Sequence, residues 1–438
     1  MFAAHVRDVD TNQASSAAGL FNDERLWIAS RVYCITMFGF VVWFLLTQVS
    51  GGVIVPNGDL LGADFISFYS ASRLALDGQP GAAYSMAAHY AAQTNVFGHE
   101  FGYSAFFYPP VYLLLCLPLA LVPYFWALAL FQFSTLLLYW HVVRKFGGRH
   151  LETMFIFSFP AVFVNLGHGQ NGFLSAALFG GALLCLKARP LIAGILFGCL
   201  IYKPQLGIVI PFALIAARCW TTIASATATA LTLALAATLV FGVDIWHSFL
   251  ANAPWAAAAL EHGLVGPHKM QSTYAAVRVL GGGSVSAWIL QAIVTFLVLG
   301  VLIWATARMR RPGLDVPLMA VAALLTSPFL LDYDLALLAV PLAWLYAEGT
   351  RTGFRSGEKL IGVVAFVLPL ISRSLAGSMA LPIAPLVIGA LFVVLLRRAA
   401  TDNAAIDCAG TDCAGTDRAG CDAGRGFFSS TQAAVPSI

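Results

Sequence analysis

From Val32 to Val49 the chain carries no charged side chain, and comparable apolar runs recur as far as Arg397-Arg398. A hydrocarbon slab about 30 Å thick takes roughly 20 helical residues to cross, and no backbone polar group inside it can stay unpaired. Repeated runs of this kind restrict the chain to membrane helices. Composition agrees, with 59% of the 438 residues hydrophobic and 10% charged, where soluble domains carry about 25% charged residues. The expected fold class is an all-α polytopic integral membrane protein. Its charged residues are too few for a soluble enzyme or a nucleic-acid binder.

Lys and Arg placement then sets the topology. Residues 1–27 are polar, and the first apolar run is too long for the core of a cleaved signal, so it reads as a retained anchor. Between Gly51 and Ser104 the single basic residue is Arg73, which assigns 51–104 to the non-cytoplasmic side and the N-terminus to the cytoplasm. Short interfacial helices are expected at 65–76 and 82–94. Further on, apolar runs fall near 221–241, 286–307, 314–330, 333–347, 359–372 and 381–396. The basic groups Arg308 to Arg311, Arg351 to Lys359 and Arg397-Arg398 alternate with a basic-poor external loop at 243–285 and short external turns at 327–334 and 372–381. Six apolar pieces lie between 105 and 218, yet parity requires an odd number of crossings there. Merging 106–143 into a partly re-entrant unit keeps Arg144, Lys145, Arg149, Lys187 and Arg189 inside, whereas merging 190–217 puts them outside. The positive-inside bias favours the first, giving about twelve spans across a transmembrane domain at 28–398. Residues 399–438, with their Asp-Cys-Ala-Gly-Thr repeat, read as a disordered cytoplasmic tail. The cysteines show no zinc-ligand pairing, and no metal site is expected.

No phosphate loop, strand-flanked GxGxxG, HExxH or GxSxG occurs. What remains is a set of polar side chains inside apolar sequence. Asp64, just past the first span, suits either a helix N-cap or a general base. Lys203 sits between two apolar stretches, where a lysine costs roughly 2.5–3.5 kcal/mol, so a partner anion, an interfacial position or a functional role is expected. His168-Gly169-Gln170-Asn171 is a polar insertion or a plain turn. Asp332-Tyr333-Asp334 matches a metal- and nucleotide-sugar-binding pattern, but it lies between two spans with no nucleotide-binding domain. The 243–285 loop carries Trp246, Trp255 and Tyr274, an interfacial belt, with His247, His262, His268 and Lys269. His268-Lys269 is a candidate phosphate contact.

Taken in order, Asp64-Phe65 with Phe68-Tyr69, then Tyr108-Pro109-Pro110, Gly169-Gln170-Asn171, Lys203-Pro204-Gln205 and Ser327-Pro328 before Asp332-Tyr333-Asp334 resemble glycosyltransferase family 87. That family includes bacterial polyprenyl-phosphate-mannose-dependent α-mannosyltransferases. The resemblance runs from about residue 28 to 398. It implies a GT-C fold and an inverting hexose transfer, with mannose the expected sugar. The implied donor is a polyprenyl-phosphate sugar, the acceptor an envelope glycolipid or glycan, and the place the outer face of the bacterial cytoplasmic membrane. It maps the essential carboxylate onto Asp64. The late motif departs from many relatives, which carry aromatic-Asp-His where this chain has Asp332-Tyr333-Asp334.

A lipid-phosphate leaving group departs as an anion, so the chemistry asks for a base and for cations, with no cofactor or metal. Asp64 is the expected base. Lys203 and Arg373, with His268 and Lys269 behind them, are the expected phosphate ligands. Tyr69, Tyr108, Gln170, Asn171, Gln205, Asp332, Tyr333 and Asp334 are left for sugar and acceptor. A transporter or flippase of lipid-linked intermediates is the rival, since broken helices and polar groups at membrane depth suit it too.

Overall fold

The computed structural model describes residues 23–50, 53–54, 62–98, 100–148, 151, 153–261, 265–308 and 315–412. Arg149, His262, Arg310, Arg311 and the repeat beyond Asp412 lie outside them. The chain is a helical membrane protein. Helix α1 (Asp23–Gln48) leads into the only two-stranded sheet among the described residues, β1 (Val49–Ser50) against β2 (Val53–Ile54), a feature absent from the all-α expectation. The segment expected to be external folds into α2 (Phe65–Leu76) and α3 (Met86–Phe97). The first of these has the expected bounds. The second starts later than the expected 82, because Pro80–Tyr84 forms a 3-10 turn that ends at the extended Ser85.

Two pieces follow, α4 (Pro110–Cys116) and α5 (Tyr124–Gly147), then α6 (Thr153–Phe157), α7 (Pro160–His168), α8 (Gly172–Cys185) and α9 (Pro190–Cys199). After these come α10 (Pro204–Gly207), α11 (Val209–Ala216), α12 (Trp220–Phe241), α13 (Asp244–Glu261), α14 (Thr273–Val279) and α15 (Ser284–Arg308). The last elements are α16 (Asp315–Thr326), α17 (Ala339–Thr352), α18 (Glu358–Met379) and α19 (Ala384–Asp412), which continues past residue 399 into the segment read as tail. Proline sets many of these boundaries. Pro110, Pro160, Pro190 and Pro204 each open a helix, where the missing N–H has no partner to lose.

Among the described residues four helices, α5, α12, α15 and α18, are long and apolar enough to cross a membrane. Five shorter apolar helical stretches pack among them. The periphery is apolar: Leu231, Leu235 and Leu239 of α12 repeat every four residues and are more than half exposed, a stripe suited to a lipid surrounding. The interior is equally apolar, with α16 buried from Leu318 to Leu325. Gly194 and Gly198 on α9 let it approach α12 so closely that a Cβ would stand 2.6 Å from the Thr222 or Ala226 carbonyl.

The helices run between two ends. The Tyr124 hydroxyl donates to the Gly62 carbonyl at 2.9 Å, so α5 begins beside the turn that holds Asp64. The segment 110–121 therefore leaves that end and returns to it, as a re-entrant piece does. At the far end of α18, about 22 Å from Arg373 at 1.5 Å per helical residue, the buried Arg398 pairs with Glu358 and donates to the Gly353 carbonyl at 3.1 Å. Arg144, Lys145, Arg308 and Arg351 fall at the ends of their helices away from the Asp64 turn.

Where a span was expected to start at 333, the chain instead forms a 3-10 turn, Asp332–Leu338, every residue of which is buried. It touches α7, α8, α16, α17 and α18. This turn buries the two late carboxylates among those helices.

Candidate active site

Asp64 stands in the turn before α2, whose apolar residues anchor it. Phe65 is fully buried against Tyr124 and Phe131, with ring centroids 5.5 and 5.7 Å away. The Asp64 side chain makes no cap hydrogen bond to α2, so the capping role open in the sequence is not what it does here. Instead Oδ2 meets His168 Nδ1 at 3.2 Å and accepts from Gln170 Nε2 at 3.3 Å. Its backbone N–H donates to the His168 carbonyl at 3.1 Å, so main chain and side chain are both tied to the 168–171 turn.

That turn is built to be rigid. Helix α7 ends on Gly169 at φ +69°, a left-handed position that glycine takes without strain. Space demands glycine as well, since a Cβ there would lie 2.8 Å from Phe65 Cβ. Asn165 Oδ1 accepts from the Gly172 N–H at 2.8 Å, while its Nδ2 donates to Gln132 Oε1 and to the Gln170 carbonyl, both at 3.0 Å. Gln132 Nε2 donates to the same carbonyl at 2.9 Å. Gln170 thus reaches Asp64 from a fixed backbone, and its Oε1 accepts from the Tyr108 hydroxyl at 3.3 Å.

Asp332 and Arg373 close the group. Arg373 Nη1 donates to Asp332 Oδ2 at 3.1 Å and lies 3.0 Å from His168 Nε2. Asp332 Oδ2 is itself 3.8 Å from His168 Nε2. Exposure separates the working surface from its support: the side chains of Asp64, His168 and Arg373 are 30%, 24% and 37% exposed, but that of Asp332 is 4%. His168 ends α7, which is not among the four helices long and apolar enough to cross a membrane. Burial lowers its pKa, but the hydrogen bond and charge of Asp64 with the charge of Asp332 outweigh burial and Arg373, so the net shift is upward.

Lys203 and Asp334 form a second, closed pair. Both side chains are almost wholly buried, Lys203 Nζ sits against Asp334 Oδ1, and it donates to Asn171 Oδ1 at 2.9 Å. Its ammonium also lies 5.0 Å from the centroid of the Tyr333 ring. Asp334 Oδ2 accepts from the Leu331 N–H at 3.2 Å and so fixes the start of the 3-10 turn. The charge of Lys203 is therefore met inside the protein by a partner anion, one of the three readings its sequence context left open.

Of the residues selected from sequence, the fold brings Asp64, Gln170, Tyr108, Asp332 and Arg373 together, with Asn171, Lys203, Tyr333 and Asp334 directly beneath. His268 is on the same side, packed over Gly377 of α18 one turn from Arg373, and Lys269 beside it is exposed. Burial, Arg373 and Lys269 lower the His268 pKa. Tyr69 turns away, its hydroxyl donating to the Val122 carbonyl at 3.1 Å. Gln205 is half-buried on α10 with no hydrogen bond to the group. His168 was singled out only as part of a polar insertion and given no role, and Asn165 and Gln132 were not selected. The signal for His168 was present, a histidine next to Gly169-Gln170-Asn171 at the end of an apolar run, but its place between two carboxylates came from segments far away in sequence. Among the described residues, no three His, Cys, Asp or Glu side chains group as metal ligands do.

A helical membrane protein with a half-open site of two carboxylates, a histidine and a guanidinium is equipped for proton transfer beside an anionic group. The sequence model of glycosyltransferase family 87 matches residues 106–331, just over half the chain. The chain belongs to that family, and it is a glycosyltransferase. No curated protein and no solved structure matches it. The matched region holds His168, Gln170, Asn171 and Lys203, while Asp64, Asp332 and Arg373 lie on either side of it.

Proposed function

We propose that this glycosyltransferase moves a hexose, mannose by family resemblance, from a polyprenyl-phosphate donor to an envelope glycolipid or glycan, with inversion at the anomeric carbon. One observation carries the reading. Asp64, half-exposed and held on one oxygen, and Arg373, the most exposed cation of the group, are bridged by His168 across one small site. A base and a phosphate ligand that close fit a donor whose leaving group is already an anion.

In this mechanism the acceptor hydroxyl oxygen attacks the anomeric carbon while its proton passes to the Asp64 carboxylate. The bond from that carbon to the phosphate oxygen breaks, and the electron pair leaves with the lipid phosphate. Arg373 neutralises the growing charge, with His268 and Lys269 on the same side of the site. Lys203 is left out of this step. Its role is to hold the Asp334 turn and, through Asn171, the residues that orient Gln170. Tyr108 and Gln170 are placed to meet sugar hydroxyls.

A GT-C arrangement of about twelve passes fits the helix directions. The basic ends of α5, α15 and α17 then face the cytoplasm, and Asp64 faces the periplasm or outside of a bacterial inner membrane.

The test is transfer of radiolabelled sugar from polyprenyl-phosphate mannose by the purified protein. Asp64→Asn is expected to lose at least about 100-fold of the rate, in line with removal of a general base. Full activity in a well-folded Asp64→Asn protein would sink the mechanism.

A further inference from the structure

The two donors that reach the Asp64 side chain converge on a single oxygen. His168 Nδ1 and Gln170 Nε2 both bind Oδ2, and no described residue donates to Oδ1. On its other face His168 receives Arg373 Nη1 at 3.0 Å. A guanidinium can only donate, so Nε2 is the unprotonated nitrogen and the imidazole proton sits on Nδ1, pointing at Asp64. The groups that face this ring are Asp64, Asp332, Tyr333 and Arg373.

We propose that His168 is a positioning residue for the base. It fixes the carboxylate rotation so that Oδ1 meets the acceptor hydroxyl, and Arg373 holds His168 in the tautomer that does this. The proposal rests on Asp64 being the base. It gives Arg373 a second duty, since one guanidinium touches both the phosphate side and the histidine that aims the carboxylate. It also gives a pH dependence with a definite sign. A proton on Nε2 would set N–H against the Arg373 N–H and place a cation 3.2 Å from the Asp64 oxygen, which makes Asp64 a weaker base. Activity therefore falls as pH drops through the raised His168 pKa.

Wild type, Asp64→Asn, His168→Ala and His168→Asn are compared as full-length protein in lipid nanodiscs, with polyprenyl-phosphate mannose and polyprenyl-phosphate glucose as donors. Asn places an amide N–H near the position of Nδ1 and cannot titrate. The expected result is a fall in kcat of about 100-fold in His168→Ala with donor KM nearly unchanged, and recovery of about tenfold in His168→Asn. The acid limb belonging to His168 is absent from the Asn variant. Imidazole nitrogen-15 shifts, read without any substrate, are expected to show the proton on Nδ1. A purely structural histidine would not split kcat from KM or remove a pH limb. The proposal is overturned by a proton on Nε2, by wild-type kcat in His168→Ala, or by folded His168→Asn protein as inactive as Asp64→Asn. Should His168→Ala not fold, the Asn variant and the nitrogen shifts decide alone. Activity in Asp64→Asn would instead overturn the base assignment itself.

Discussion

Lys203 shows how one buried charge is met from inside the protein at the floor of the site. Its ammonium is met by Asp334, Asn171 and the Tyr333 ring, all inside the protein. Removing one member of a buried pair leaves an uncompensated charge and costs about 3–5 kcal/mol, whereas replacing both members is far milder. Lys203→Met is therefore expected to lower the unfolding temperature of the detergent-extracted protein sharply. Lys203→Met with Asp334→Asn should recover most of that loss, since the amide oxygen can still accept from the Leu331 N–H. Equal instability in the single and double variants would mean that the pair does not act as a unit. At this scale the sequence was partly legible. A lysine among apolar residues announces that it needs an anion, and Asp64 after the first span announces itself too. Which anion Lys203 takes was not legible, because Asp334 arrives from a separate helix pair and burial is a property of the finished fold.

At the scale of elements, the site is the contact of two turns. Gly62 and Gly169 are both left-handed, and a Cβ on Gly169 would lie 3.2 Å from Gly62 Cα and 2.8 Å from Phe65 Cβ. Gly169→Ala is expected to cost about 1–2 kcal/mol for the left-handed conformation alone. It should also separate His168 and Gln170 from Asp64, so transfer activity ought to fall by more than the stability loss explains. A Gly169→Ala enzyme with unchanged kcat would show that the turns tolerate displacement. Beside them, α3 is pinned to α2 by His89, fully buried, whose Nε2 lies 3.0 Å from the Ser67 carbonyl. Burial lowers its pKa from 6.5 to about 4. A depressed folded pKa means that the unfolded chain binds the proton more readily. The contribution is complete above pH 6.5 and is lost as pH falls from there to about 4, on the order of 3 kcal/mol in all. Denaturation of His89→Gln should lack that part of the pH dependence. The bounds of α2 were readable from a polar-aromatic stretch between turn residues. The 3-10 turn at Asp332–Leu338 was not, because its apolar Leu335–Leu338 continue into α17 and look like one span.

For the whole molecule, the helix directions sort charge. Arg144, Lys145, Arg308, Arg351 and Arg398 gather at one end, while Asp64, Arg373, His268 and Lys269 occupy the other. Cytoplasmic loops hold the excess of Lys and Arg because they resist translocation, so the Asp64 end is expected outside the cytoplasmic membrane. In the sequence, parity along 105–218 left open the side of Arg144, Lys145, Lys187 and Arg189, with the positive-inside bias favouring the merger of 106–143. The hydrogen bond from Tyr124 to Gly62 starts α5 at the Asp64 end, as that merger needs. Single cysteines at Lys269 and Arg144, both exposed, turn the expectation into a measurement. In a background with the native cysteines replaced by serine or alanine, Lys269→Cys should react with a membrane-impermeant maleimide on intact cells. Arg144→Cys should react only after the membrane is opened. The reverse pattern would put the site on the cytoplasmic side, where nucleotide sugars are available, and would remove the reason for a lipid-phosphate donor. Labelling of both positions from one side would contradict the helix directions themselves.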